Sequence, residues 1–421
     1  MKKALFLLII ILLVLPGLQK ELFHIPERSL KGAVVNSEKP EFSFSGWWSG
    51  DYQDKYDKYL EDHIGFRNFL VRLNNQIDYS LFNQINAQGV TVGKEGYLYE
   101  LNYIRGYLGM DFLGQEILDE KIKQIEFTSQ WLKEQGTVLI CAFAPGKGRF
   151  YPEYFPSPYD TIHPAGYTNY GYYTEKLSTD SVEIIDFNAL FLNWKDTSKY
   201  ILYPRYGIHW STYGVGLAID TLIRRIESLL NKDITDFDWQ EVVITDDLRY
   251  DDYDIADGMN LLCKLPCDEM AYPRFRYNEE GKYKPKILVI ADSFFWQILG
   301  QGHAKRVFSG CDFWYYYSQA FHLEDGVPPV LDKAHLPEKL KEYDVVMTLY
   351  TEANLPKMAN GFYEDVFYAV KYSDQIAKNI ERIRNAPEWL AEIEKKATER
   401  GISLEDMLWL DALWLVKNAN K

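Results

Sequence analysis

The sequence is poor in cysteine and histidine, and it has no long run of one charge sign. There are four cysteines and seven histidines in 421 residues. Cys263 and Cys267, in "CKLPC", have no second pair and no histidine partner at ligand spacing, so zinc finds little support. Their separation allows a small disulfide loop, whereas Cys141 lies in an apolar run and reads as packed core. The formal charge of −15 argues against a general nucleic-acid or anionic-membrane surface, because phosphates would repel it. Without a single-sign run, that charge reads as a solvated face. Also missing is a small-x-small cleavage site after the apolar N-terminus.

What is present is apolar and aromatic. Hydrophobic residues make up 47% of the chain, enough for a real core, and length alone forces no split into domains. Thirty-two Tyr and 11 Trp suit both a core and flat, polar, stackable ligands such as sugar rings. "MKKALFLLIIILLVLPGLQ" opens with two lysines and runs apolar from Ala4 to Leu15. Lys2 and Lys3 fit a cytoplasmic flank, which puts the rest of the chain outside the cytoplasm. The run is short against the roughly 20 apolar residues of a spanning helix, and both an uncleaved signal anchor and a signal peptide fit it. The expected organisation is an anchor or signal over 1–20, a tether over 21–48, a main domain over 49–358 and a helical extension over 359–421.

Within the main domain the periodicity alternates. A helix is expected over 51–82, with Phe66, Phe69, Leu70 and Leu73 at helical spacing. "VTVGKEGYLYE" reads as a hairpin. Helices near 119–134, 171–178 and within 211–230 alternate with continuous apolar strands at 137–145, 182–187, 286–294 and 344–350. This pattern predicts an α/β fold with a mostly parallel sheet covered on both faces, whose ligands bind beyond the carboxyl ends of the strands. In the tail, Pro387 starts a helix, Gly401 stops it and Ser403 caps the next; these apolar stripes either pack on the main domain or bind a partner.

Two motifs fall at strand or helix ends. "ILVIADSFFWQILG" runs from buried strand through a sharp turn to helix, which exposes the Ser293 hydroxyl above the sheet near helix-start N–H groups that can hold an oxyanion. A plain N-cap is the structural alternative. "GIHWSTYG" puts His209 at a helix entry with Ser211 as its cap, a place that keeps imidazole neutral and able to accept a proton. Its structural alternative is a satisfied core histidine.

Together, Ala-Asp-Ser-Phe after an apolar strand and His-Trp-Ser-x-x-Gly resemble the SGNH-hydrolase-like acetyltransferases of the alginate O-acetyltransferase type, the AlgX/AlgJ-like family, with the histidine motif first in the chain. "HIGFRNFLVRLNN", "VGKEGYLY" and "APGKGRFYPEY" extend the resemblance over residues 40–355. It implies an SGNH-like fold with Ser293 as nucleophile, His209 as general base, Asp292 as a structural aspartate and Lys147 as a residue shaping the site. The family's Asp-x-His has Gly207 at the aspartate position. Three arrangements answer that substitution: another carboxylate, Glu352 first and Asp254 or Asp257 after it; a Ser-His dyad held by a backbone carbonyl; or an inactive site that binds glycan alone.

The implied activity is extracytoplasmic, membrane-tethered O-acetylation of an envelope or secreted polysaccharide through an acetyl-serine, with no metal or organic cofactor. Trp210, Trp296 and the "FWYYYSQ" stretch with Tyr316 are the expected sugar contacts. The resemblance implies a separate membrane-bound acyltransferase as the source of acetyl groups. A carbohydrate esterase and a non-catalytic polysaccharide-binding scaffold are the alternative functions.

Overall fold

The apolar N-terminal run forms helix α1 (Lys2–Leu18) in the computed structural model, which describes residues 2–32, 35–164, 166–177, 181–322 and 331–420. With the following turn, Lys2–Phe23 is long and apolar enough to cross a membrane. The helix belongs to the first of two compact units, Met1–Glu100 with Arg205–Gly207 and Tyr253–Cys267. The expected helical stretch is here a pair, α2 (Asp51–His63) and α3 (Arg67–Phe82), broken at Ile64–Phe66 where the chain is first extended and then left-handed. The expected hairpin is β1 (Val90–Val92) and β2 (Leu98–Glu100), antiparallel, with Gly96 at φ +77° in its turn. No disulfide joins Cys263 and Cys267; the Cys267 thiol donates to the Leu265 carbonyl at 3.2 Å.

The second unit holds Leu101–Pro204, Ile208–Asp252 and Asp268–Lys421. Its strands are β3 (Val138–Ala144), β4 (Glu183–Asp186), β5 (Asp236–Thr245), β6 (Met270–Asn278), β7 (Lys286–Ala291), β8 (Gly310–Tyr315), β9 (Gln319–His322) and β10 (Val345–Thr351). Six of them form a sheet in the order β4-β3-β10-β7-β8-β9, parallel except for the edge strand β9. The central strands β3, β7 and β10 are buried on both faces, which is why they read as unbroken apolar runs. Helices α4 (Gln115–Glu134) and α5 (Thr212–Leu230) carry the amphipathic stripes expected of sheet-covering helices. The helix expected over 171–178 runs Asn169–Lys176; Ser178 lies outside the described residues.

β5 and β6 pair antiparallel in a separate two-stranded sheet. In the tail, α6 (Phe362–Lys371), α7 (Ser373–Arg384), α8 (Pro387–Arg400) and α9 (Leu404–Ala419) follow the last strand. The Ser403 hydroxyl caps α9 by accepting from Asp406 N–H at 3.0 Å, and Gly401 ends α8 at φ +65°. Trp409, Ala412, Leu413 and Val416 of α9 join the main apolar core, while Ile383, Ile393, Ala397, Met407 and Leu408 make a second, smaller one.

His303 is fully buried among Phe237, Phe275 and Tyr277. As a neutral imidazole it accepts from the Tyr277 hydroxyl at Nδ1 (2.7 Å) and donates from Nε2 to Gln301 Oε1 (3.3 Å). Burial pushes its pKa down from 6.5 to about 4. Above pH 6.5 both folded and unfolded chains hold it neutral, so it adds no pH dependence there. As pH falls from 6.5 towards 4, only the unfolded chain takes up the proton and stability is lost, by about 3 kcal/mol at most. Denaturant unfolding of wild type between pH 7.5 and 4.5 should show that loss, and His303→Gln should remove this component of the slope.

Candidate active site

Asp292 and Ser293 follow the last residue of β7, and the turn they make is held from behind. The Asp292 carboxylate is fully buried. It accepts from Phe294 N–H (3.1 Å), Thr351 N–H (2.8 Å), the Thr351 hydroxyl (2.8 Å) and the Asn354 amide (2.9 Å). A buried carboxylate survives only with its lone pairs filled, and here they tie the ends of neighbouring strands β7 and β10 together. Asp292 is thus the residue that captures the helix-start N–H. The Ser293 hydroxyl is not used as a cap and stays half-buried above the sheet.

His209 is presented by the turn before α5. The Ser211 hydroxyl accepts from Gly214 N–H (3.0 Å) and donates to the Ile201 carbonyl (2.7 Å), which caps the helix and pins its entry. A Cβ on Gly214 would lie 3.0 Å from both the Leu202 carbonyl and the Phe191 ring, so the last glycine of "HWSTYG" reflects close packing. His209 is 8% exposed and its ring lies against Phe294 with centroids 4.7 Å apart. Its Nε2 is 2.9 Å from Ser293 Oγ. With the imidazole proton on Nδ1, Nε2 accepts the serine proton, the geometry a general base requires.

On the Nδ1 side stands a residue that the sequence reading did not name. Asp251 Oδ2 is 4.0 Å from His209 Nδ1, and its side chain is 41% exposed. That is too long for a hydrogen bond but close enough to favour imidazolium. The acid-rich loop "DDLRYDDYDIAD" carries Asp251 together with Asp254 and Asp257, the carboxylates to which the sequence points after Glu352. Asp254 accepts from Ile255 N–H (2.7 Å) and Asp257 pairs with Arg28 (3.2 Å).

Glu352 is placed elsewhere. It follows β10 and binds Arg149 through both carboxylate oxygens, at 2.9 Å to Nε and 2.6 Å to Nη2. Arg149 also lies over Tyr170, 4.4 Å from the ring centroid. Burial pushes the Glu352 carboxyl above its ordinary range, against the pull of Arg149. Lys147, in the turn after β3, is fully buried.

Of the aromatic residues expected at the sugar, Trp210 is core. It is 0% exposed and packs on Phe187, Phe191 and Phe294, with centroids 5.6, 5.9 and 5.6 Å away. Its place beside the histidine in sequence sends it to the opposite side of the turn, beneath the site. Trp296 is half-buried against Phe313, Tyr315 and Phe321. Tyr316 is near the site: its hydroxyl lies close to the Ser293 and Asn354 side chains. Burial, then the Asp292 charge, raises its pKa well above 10, so it remains a phenol that can donate. Tyr316 and Tyr317 both have positive φ, 47° and 51°, and Tyr316 N–H donates to the Ala291 carbonyl at 2.9 Å. Two bulky residues in the left-handed region are strained, and such strain collects where geometry serves a site.

Comparison with known proteins finds a family match over part of the chain. Residues 90–248 match the family described as "SGNH hydrolase-like domain, acetyltransferase AlgX". That segment includes His209 and ends before Asp251 and Ser293. A probable alginate O-acetylase AlgJ of Pseudomonas fluorescens is 25% identical over 201 residues, 47% of this chain and 47% of that protein. The chain thus spans about half the length of that curated relative. Among solved structures, the O-acetyltransferase domain of Pseudomonas putida AlgJ is 18% identical, covering 64% of this chain and 92% of its own, with a TM-score of 0.42. Pseudomonas aeruginosa AlgX is 12% identical, covering 65% and 67%, with a TM-score of 0.41. Bacillus cereus PatB1 is 15% identical, covering 56% and 90%, with a TM-score of 0.37. The chain is thus similar to AlgX- and AlgJ-type proteins, with the match to the AlgX-type SGNH hydrolase-like acetyltransferase domain confined to residues 90–248.

Proposed function

We propose that the protein is an O-acetyltransferase that moves an acetyl group onto a polysaccharide hydroxyl through an acetyl-serine at Ser293. The observation that carries this reading is the 2.9 Å approach of His209 Nε2 to Ser293 Oγ at the carboxyl edge of the sheet. The names of its relatives, an alginate O-acetylase and an O-acetyltransferase domain, support an acetyl group and a sugar polymer. The apolar α1 supports a site outside the cytoplasm, tethered to the membrane. A membrane-bound acyltransferase is then the source of acetyl groups.

In the first half-reaction the Ser293 proton passes to His209 Nε2 as Oγ bonds the donor's carbonyl carbon. The bond to the donor's leaving group breaks, and that group takes the proton from the imidazolium. In the second, a sugar hydroxyl gives its proton to Nε2 and attacks the acetyl carbon. Ser293 Oγ leaves and recovers the proton. The oxyanion of each step is met by Ser293 N–H, which has no acceptor among the described residues, and by the Tyr316 hydroxyl. Phe294 N–H is committed to Asp292 and takes no part. Asp251 supplies the charge that Gly207 cannot, stabilising imidazolium. Asp292 and Lys147 act on the shape of the site, and Trp296 on the sugar.

Intact-mass analysis after exposure to an activated acetyl ester should show one acetyl adduct, absent in Ser293→Ala and strongly slowed in His209→Ala. Acetylated oligosaccharide should accumulate when an acceptor is added; acetate alone would make the protein an esterase, and no adduct would remove the reading. Asp251→Asn should slow acylation roughly 10- to 100-fold, less than the about 10⁴-fold loss of a buried, hydrogen-bonded triad acid. Because a carboxylate raises the pKa of a neighbouring histidine, that variant should also shift the acid limb of the rate profile to lower pH. Glu352→Gln should leave that limb in place and destabilise the fold by about 3 kcal/mol, the cost of leaving a buried partner unpaired.

A further inference from the structure

Helix α3 presents an apolar face to solvent along its whole length. At 100° per residue, Phe69, Leu70, Leu73, Ile77 and Leu81 fall within about 120° of one another. Phe69 is 45% exposed, Leu70 44%, Ile77 45% and Leu81 71%. Its polar side is the attached one: buried Arg72 donates to the Ser29 carbonyl (2.8 Å) and the Leu261 carbonyl (3.3 Å), and Asn75 to the Met259 carbonyl (2.9 Å). An amphipathic helix that faces its own unit with its polar residues has its apolar stripe turned towards something else.

The start of α3 shows what that is. Phe66 N–H donates to Gln19 Oε1 (3.3 Å), and Gly65 is so close to α1 that a Cβ there would lie 2.0 Å from the Pro16 carbonyl. Leu12, Leu15 and Pro16 of α1 share a groove of about 740 Å³ with Phe66, Phe69 and Leu70. Leu12 precedes Lys20, the first charged residue after Lys3, by eight positions, about 12 Å along a helix. The first turn of α3 is therefore clamped beside α1 residues on the apolar side of the helix's exit point.

We propose that α3 lies in the boundary between headgroups and acyl chains of the leaflet that α1 leaves, with Phe69, Leu70, Ile77 and Leu81 immersed in lipid. The groove beside Leu12 and Leu15 then takes an acyl chain. This rests on α1 spanning the bilayer. The net charge of −15 gives no attraction to anionic headgroups, so the immersion depends on apolar area and is insensitive to salt.

The test uses the full chain in phosphatidylcholine vesicles, with Cys263→Ser and Cys267→Ser to clear the accessible thiols; Cys141 and Cys311 are buried. Single nitroxides are attached at Leu70→Cys and Ile77→Cys on the α3 stripe, at Asp57→Cys on α2 and at Leu8→Cys on α1. Collision with oxygen, which partitions into lipid, is compared with collision with a water-soluble nickel chelate. Positions 8, 70 and 77 are expected to favour oxygen severalfold over nickel and position 57 the reverse, at low and high salt alike. Nickel-accessible labels at 70 and 77 with an oxygen-favoured label at 8 would overturn the proposal and leave the anchor standing. Nickel access at position 8 as well would remove the anchor, and the proposal with it. Shielding of 70 and 77 from both reagents, with spin–spin broadening that grows with the protein-to-lipid ratio, would assign the face to a second copy of this chain.

Discussion

The geometry at the carboxyl edge of the sheet depends on one buried charge. The Asp292 carboxylate accepts from two backbone N–H groups, a hydroxyl and a side-chain amide, the partners a carboxylate buried away from water requires. Because those donors come from the Ser293 turn and from the end of β10, the carboxylate fixes two strand ends relative to each other. Ser293 is carried between them with its hydroxyl left over. Tyr316, whose N–H reaches the carbonyl of Ala291 at the end of β7, is referenced to the same strand. Ser293 and its phenolic neighbour are thus positioned by one element, and the histidine is brought to them by the capped start of α5.

The acids of this site divide by environment. Glu352 is buried with a bidentate arginine partner and braces the neighbouring part of the same sheet edge. Asp251 is half in solvent and 4.0 Å from the imidazole. The place at the end of a strand that made Glu352 a candidate also sets it against Arg149, which binds both of its oxygens. In the proposed mechanism Asp251, from a different loop further along the chain, takes the place of the aspartate missing at Gly207.

Much of the fold was legible because its central strands are buried on both faces: β3, β7 and β10 declare themselves as unbroken apolar runs. The helix caps at Ser211 and Ser403 were legible for a local reason, since a cap is settled within three residues. The β5–β6 pair was not, because its strands are half-exposed and interleaved with charges, with no clean period of two. Ser293 and His209 each end an element whose start could be read, and their meeting follows from strand order. Trp210 misled because adjacency in sequence says nothing about which side of a turn a ring takes. Asp251 sits in a loop crowded with aspartates, where only the path of the backbone separates one carboxylate from the next.

The exposure of Asp251 bears on the proposed choice between sugar and water. A half-solvated carboxylate 4.0 Å from imidazolium is screened by the solvent it faces. A polymer laid across the site displaces that solvent and strengthens the same pair without moving it. The base would then be least effective when water alone occupies the site and most effective when a sugar chain covers it. A triad acid already buried would give water and sugar equal help. In the proposed mechanism the departure at Gly207, which reads in the sequence as a defect, lets the acceptor itself complete the electrostatics of the step that consumes it.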